Sequence, residues 1–97
     1  MHWHISGQIH NKTDKALDVE LDPVSSMLYP SRAIRVAVQP NKVKDVDIGK
    51  TCIATVAVAQ ASSIKDLLLG AWIGMKCSDN TVTITKKNQK FKITVGN

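Results

Sequence analysis

The sequence predicts an all-β protein: an antiparallel β-sandwich of about eight short strands with one short helical turn. Three observations point there. Apolar and polar residues alternate with period two through most of the chain. Clusters of Asn, Asp, Pro, Ser and Gly interrupt that alternation at short intervals. The apolar residues are mainly Val, Ile, Leu and Ala, with only Trp3, Tyr29, Trp72 and Phe91 as aromatics. No repeat, linker or second compositional zone divides the 97 residues, so residues 1–97 read as a single domain.

The elements follow in order. Trp3, Ile5, Gly7 and Ile9 point one way along the first strand, and His2, His4, Ser6, Gln8 and His10 the other. Asn11 to Lys15 (NKTDK) is a polar turn, after which Leu17, Val19 and Leu21 alternate with Asp18 and Glu20. Residues 22–31 (DPVSSMLYPS) hold two prolines and three serines and read as a loop. Ile34, Val36 and Val38 form a third strand, closed by the turn QPNK with Pro40 suited to its second position. Val46 and Ile48 form a short strand ended by Gly49, and TCIATVAVAQ (51–60) reads as a central strand covered on both faces. In SSIKDLLLG (62–70), Ser63 with Asp66 three residues on, then leucines, then Gly70, predicts the helical turn. AWIGMKC (71–77) is a strand leading into the turn SDN. TVTITKK then turns at Asn88-Gln89 into KFKITV, with Phe91, Ile93 and Val95 inward and Lys90, Lys92 and Thr94 outward.

Composition excludes several classes. A hydrophobic fraction of 43% is that of a globular chain, not a disordered one. The longest apolar run, Leu67 to Met75, contains two glycines and falls well short of the roughly 20 residues of a membrane span. The chain as given opens without the basic start and apolar stretch of a signal peptide. Met1 is therefore either the native start or an added one on a mature secreted chain. The net charge of +5 is unevenly spread: Asp14, Asp18, Glu20 and Asp22 cluster early, and Lys86, Lys87, Lys90 and Lys92 close the chain with no acid after Asp79. Such a basic hairpin attracts anions, and lysine is also the usual guard of a sheet edge.

Cys52 shares parity with Ala54, Val56 and Val58, and Cys77 with Ile73 and Met75, so both thiols are expected to face the interior. Two cysteines with no CxxC and no histidine at zinc spacing rule out a standard structural zinc site. The alternatives are a Cys52–Cys77 disulfide and two buried free thiols; the small domain size favours the bridge. Asn11-Lys12-Thr13 is a glycosylation sequon on an expected turn, which makes Asn11 a candidate acceptor.

The remaining chemistry is sparse. His2 and His4 lie about 7 Å apart on one strand face and could share a metal, while His10 is about 20 Å beyond His4. If the mature chain begins at His2, His-Trp-His places a histidine third from a free amine, a square-planar donor set suited to Cu(II) or Ni(II). With Met1 present that chelate is lost, and the alternative is a polar strand face. No cofactor other than copper is expected. Ser6 and Ser78 lack an elbow motif, and GKTC (49–52) lacks the spacing of a phosphate loop. Asp18/Glu20 and Asp45/Asp47 sit two apart on exposed strand faces, where pairing with lysine is expected rather than acid–base work. An enzyme is not expected.

Trp3 to Leu21, WHISGQIHNKTDKALDVEL, resembles the opening of aegerolysins and actinoporin-like cytolysins, where an aromatic-led strand precedes Ile-x-Asn-x-Thr/Ser and a second strand. The run NTVTITKKNQKFKITV is similar to the closing hairpin of such sandwiches. Together these cover about a third of the chain. Those cytolysins bind lipid headgroups through clustered Trp and Tyr, and this chain carries no such cluster. In size and all-β pattern the chain is also similar to small secreted fungal effector sandwiches, the MAX effectors among them. No functional residue carries over from either resemblance.

These readings favour a secreted, non-enzymatic binding protein, effector- or toxin-like, recognising a protein or surface of another organism; the alternative is a copper-binding protein using the N-terminal His2-Trp3-His4. Its expected contact surface is Lys86, Lys87, Lys90 and Lys92, together with the exposed edge strands. Nucleic acid is disfavoured, because the only aromatic among those lysines, Phe91, alternates inward. The oligomeric state is left open.

Overall fold

The computed structural model describes residues 5–23, 32–49, 52–60, 68–74 and 77–96. Their regular elements are all strands: β1 (Ile5–Asn11), β2 (Leu17–Pro23), β3 (Ile34–Val38), β4 (Val43–Gly49), β5 (Ile53–Gln60), β6 (Leu68–Gly74), β7 (Thr81–Lys87) and β8 (Lys90–Gly96). These make two four-stranded sheets, ordered β4-β1-β7-β8 and β3-β2-β5-β6. After β1 the chain alternates between the sheets: β2 and β3 in the second, β4 alone back in the first, β5 and β6 in the second, β7 and β8 in the first.

The two sheets face each other across one aliphatic core. Ile9, Val82, Ile84 and Ile93 come from the first sheet; Leu17, Val19, Leu21, Val38, Ile53, Val56 and Val58 come from the second. Partly buried Val46, Phe91, Val95, Ile34 and Val36 pack around them. Their placement follows from strand position. The internal strands β1, β7, β2 and β5 supply nearly all the fully buried side chains. Edge strands β3, β4 and β8 contribute mostly half-covered ones, because a neighbour shields them on one side only. The alternation of Leu17, Val19 and Leu21 with half-exposed Asp18 and Glu20 puts three large aliphatics on one face of β2, each at most 1% exposed. At roughly 25 cal/mol per Å² of apolar surface, each such side chain contributes about 2 kcal/mol.

Three expectations are corrected. The sheets are not wholly antiparallel: β1 pairs with β7 in parallel, Gln8 opposite Thr81 through Asn11 opposite Ile84. A parallel pair needs a long crossover, and here everything between β1 and β7, including all of the second sheet, provides it. Leu68–Gly70, placed at the end of the expected helical turn, instead open strand β6 and pair with β5 (Val58 opposite Gly70, Ala59 opposite Leu68). The unpaired edge of β5 takes those residues, and tertiary pairing overrides their helical propensity; the rest of the expected turn lies outside the described residues. Lastly, the cysteines are not core residues. Cys52 and Cys77 form a disulfide with Cα atoms 4.8 Å apart, but Cys52 is half-buried just before β5 and Cys77 is exposed in a turn. The bridge staples edge strand β6 to β5 near one end of the sheet.

Candidate binding surface

The β7–β8 hairpin is built locally. Register runs from Thr81 opposite Gly96 to Lys87 opposite Lys90, leaving Asn88 and Gln89 as a two-residue turn. Both have positive φ, 50° and 64°, the pattern of the mirror-image turns whose twist matches paired strands. Inward Ile84 and Ile93 are buried, with Phe91 and Val95 half-buried beside them. The opposite, outer face carries Thr81, Thr83, Thr85 and Lys87 on β7, and Lys90, Lys92 and Thr94 on β8.

The structure divides the four expected lysines. Lys87, Lys90 and Lys92 stand exposed on the outer face, and among the described residues none reaches a carboxylate. Lys86 has the opposite parity. Its ammonium lies over the Phe91 ring, 5.4 Å from the centroid, and 4.0 Å from the Asp14 carboxylate, so its stem covers the end of the core. Lys12, passed over in the sequence, joins the outer group. It follows β1 directly, its N–H donates to the Ile84 carbonyl (2.9 Å), and its side chain is exposed. That hydrogen bond and the β7–β8 register put Lys12 and Lys92 on either side of Thr85, two strand spacings or roughly 10 Å apart. No linear pattern joins residue 12 to residue 92; only the parallel β1–β7 pair does.

The other end of this outer face is acidic. Asp45 and Asp47 lie opposite Gln8 and Ser6 and line an open groove of about 660 Å³ with Ser6, Gly7, Gln8, Val46, Asn80 and Thr81. Gln8 Nε2 donates to Asp45 Oδ1 (3.1 Å), and Gln8 Oε1 lies 3.1 Å from His10 Nε2. An amide oxygen only accepts, so His10 carries its proton on Nε2. Among the described residues no three His, Cys, Asp or Glu side chains gather at metal-binding distance. His2 and His4 lie outside the described residues.

Asn11 is not a surface acceptor, and this too corrects the sequence expectation. It is 1% exposed and Thr13 is 3% exposed. Asn11 Nδ2 donates to the carbonyls of Lys15 (2.7 Å), Val38 (3.0 Å) and Gln39 (3.1 Å), three acceptors sharing two protons. Its Oδ1 accepts from the Thr13 N–H (3.0 Å) and hydroxyl (2.6 Å). A glycan would replace a proton of the nitrogen that holds these carbonyls. The sequon residues are instead a structural lock, joining two of the places where the chain crosses between sheets: the turn from β1 to β2 and the turn from β3 to β4.

The outer face of the second sheet is acidic along β2, with Asp18, Glu20 and Asp22 in line. Arg35 on β3 pairs with Glu20 (Nε to Oε1, 3.0 Å). Partial burial and, after it, the Glu20 carboxylate hold the Asp22 carboxyl above its ordinary pKa. No helix among the described residues is long and apolar enough to cross a membrane. Comparison with family models, curated proteins and solved structures finds no match to this chain.

Proposed function

We propose that this chain is an extracellular, non-enzymatic binding protein, effector- or toxin-like, that recognises a protein or surface of another organism through its cationic hairpin. One observation carries the reading: Lys87 and Lys90 stand directly opposite each other, with Lys92 beside them, all exposed and without a carboxylate partner among the described residues. Like charges directly opposite destabilise a strand pair, and an anionic partner relieves that repulsion. The Cys52–Cys77 bridge supports an oxidising compartment.

The test is binding of the labelled protein to intact cells of candidate target organisms at about 150 mM salt. Lys87→Glu with Lys90→Glu is expected to weaken binding by roughly tenfold or more, since charge reversal turns attraction into repulsion. Equal binding by the variant and the parent chain overturns the hairpin as the contact surface.

A further inference from the structure

We infer that Lys12, Lys87, Lys90 and Lys92, grouped around Thr85 on the outer face of the first sheet, form a platform for a linear sulfated polysaccharide. The inference rests on the binding reading above and names the partner's chemistry. Edge protection does not account for the group. It would explain Lys90 and Lys92 on edge strand β8, but Lys87 ends internal strand β7 and Lys12 extends internal strand β1. Four cations thus converge from three adjacent strands: Lys87 faces Lys90, Lys92 faces Thr85, and Lys12 lies on the far side of Thr85.

Their field is not cancelled locally. Asp45, on the same face, is three strands across and four residues along from Lys92, roughly 19 Å by strand geometry. That exceeds the screening length of about 8 Å at physiological salt. Asp14 meets the hairpin at Lys86, whose parity is opposite to that of Lys87, Lys90 and Lys92.

The chemistry of the patch selects among polyanions. All four cations are lysines, point charges suited to sulfate or phosphate oxygens but without the planar fork that reads bases. Among the described residues, no exposed aromatic lies beside these lysines to stack a base, since Phe91 is half-buried under Lys86. The threonine hydroxyl at the centre can donate to an ester oxygen or accept from a sugar hydroxyl. The disulfide belongs to compartments where glycans, rather than nucleic acids, are the abundant polyanions.

Calorimetric titration with a heparin-derived oligosaccharide, repeated at stepped salt, tests the assignment. The parent chain is expected to bind at about 150 mM salt, with affinity falling as salt rises. Lys12→Gln with Lys92→Gln should weaken binding roughly tenfold and shallow the salt slope by about two counterions. Arg32→Gln with Lys44→Gln, removing the same charge from exposed positions elsewhere, should change affinity by less than about twofold. Melting curves confirm that each variant folds. Equal losses from the two pairs would reduce the effect to net charge and overturn the platform. Undiminished binding of the desulfated oligosaccharide, or equally tight binding of duplex DNA, would overturn the ligand class. If the parent chain ignores the sulfated probe while its cell binding still depends on Lys87 and Lys90, the polysaccharide falls and the binding reading stands. If cell binding is also indifferent to the hairpin, both fall.

Discussion

Asn11 shows how one side chain can do work its sequence context conceals. Within NKTDK it reads as a turn residue followed by a modification motif. In the fold its amide nitrogen serves three backbone carbonyls and its oxygen holds Thr13. The signal that could have revealed this was present: residue 11 continues the inward parity of Gly7 and Ile9, both buried. Burying carbonyls without donors costs about 1–3 kcal/mol each, so Asn11→Ala is expected to destabilise the fold by about 3 kcal/mol in denaturant titration. Asn11→Asp should cost at least as much, because a carboxylate oxygen would face carbonyls where an N–H₂ now stands. A midpoint unchanged by both variants would remove Asn11 from its structural role. Parity was likewise the missed cue for Lys86, which continues the inward series of Val82 and Ile84 and so turns toward Phe91 instead of joining the exposed lysines.

At the scale of the element, the β7–β8 hairpin was the most legible part of the chain. Alternation fixed its faces, and the two residues between the strands fixed its turn. The turn residues are nonetheless imperfect. Asn88 tolerates positive φ, but Gln89, at 64°, is neither Asn, Asp nor Gly, and such a conformation costs an ordinary L-residue about 1 kcal/mol. Gln89→Gly should therefore stabilise the protein by about 0.5–1 kcal/mol, read as a raised thermal midpoint; a lowered midpoint would show that the Gln89 side chain makes a compensating contact. The turn after β3 is better matched, with Pro40 at its second position and Asn41 taking the positive φ of 58°. Strand β6 was the least legible element. Its leucines suit helix and strand alike, and only the open edge of β5 decides between them.

At the scale of the whole molecule, periodicity gave the fold class and the aliphatic core but not the partners of each strand. Alternation says which way a side chain points and is silent about which strand lies alongside. The parallel β1–β7 pair, and with it the approach of Lys12 to the hairpin, was therefore invisible in one dimension. The disulfide was expected, though for the wrong surroundings: it is a clasp on the rim and not a plug in the core. Its sequence separation of 25 corresponds to about 3–4 kcal/mol of loop-closure entropy. Reduction is accordingly expected to lower the thermal midpoint by about 15 °C for a domain of this size. A shift of only a degree or two would mean that β6 holds to β5 without its clasp.

The parallel pair also orders events in time as the polypeptide emerges. All four strands of the second sheet have been made once Gly74 is complete, and β1 already has β4 available on one side. Its other side must wait for β7, which follows the whole second sheet. Contacts between such distant parts of a chain close slowly, and an unpaired strand edge is exposed to wrong partners meanwhile. The centre of the first sheet is thus finished only after the whole second sheet has been made, and a ribosome stalled before Thr81 would leave β1 with one edge unpaired.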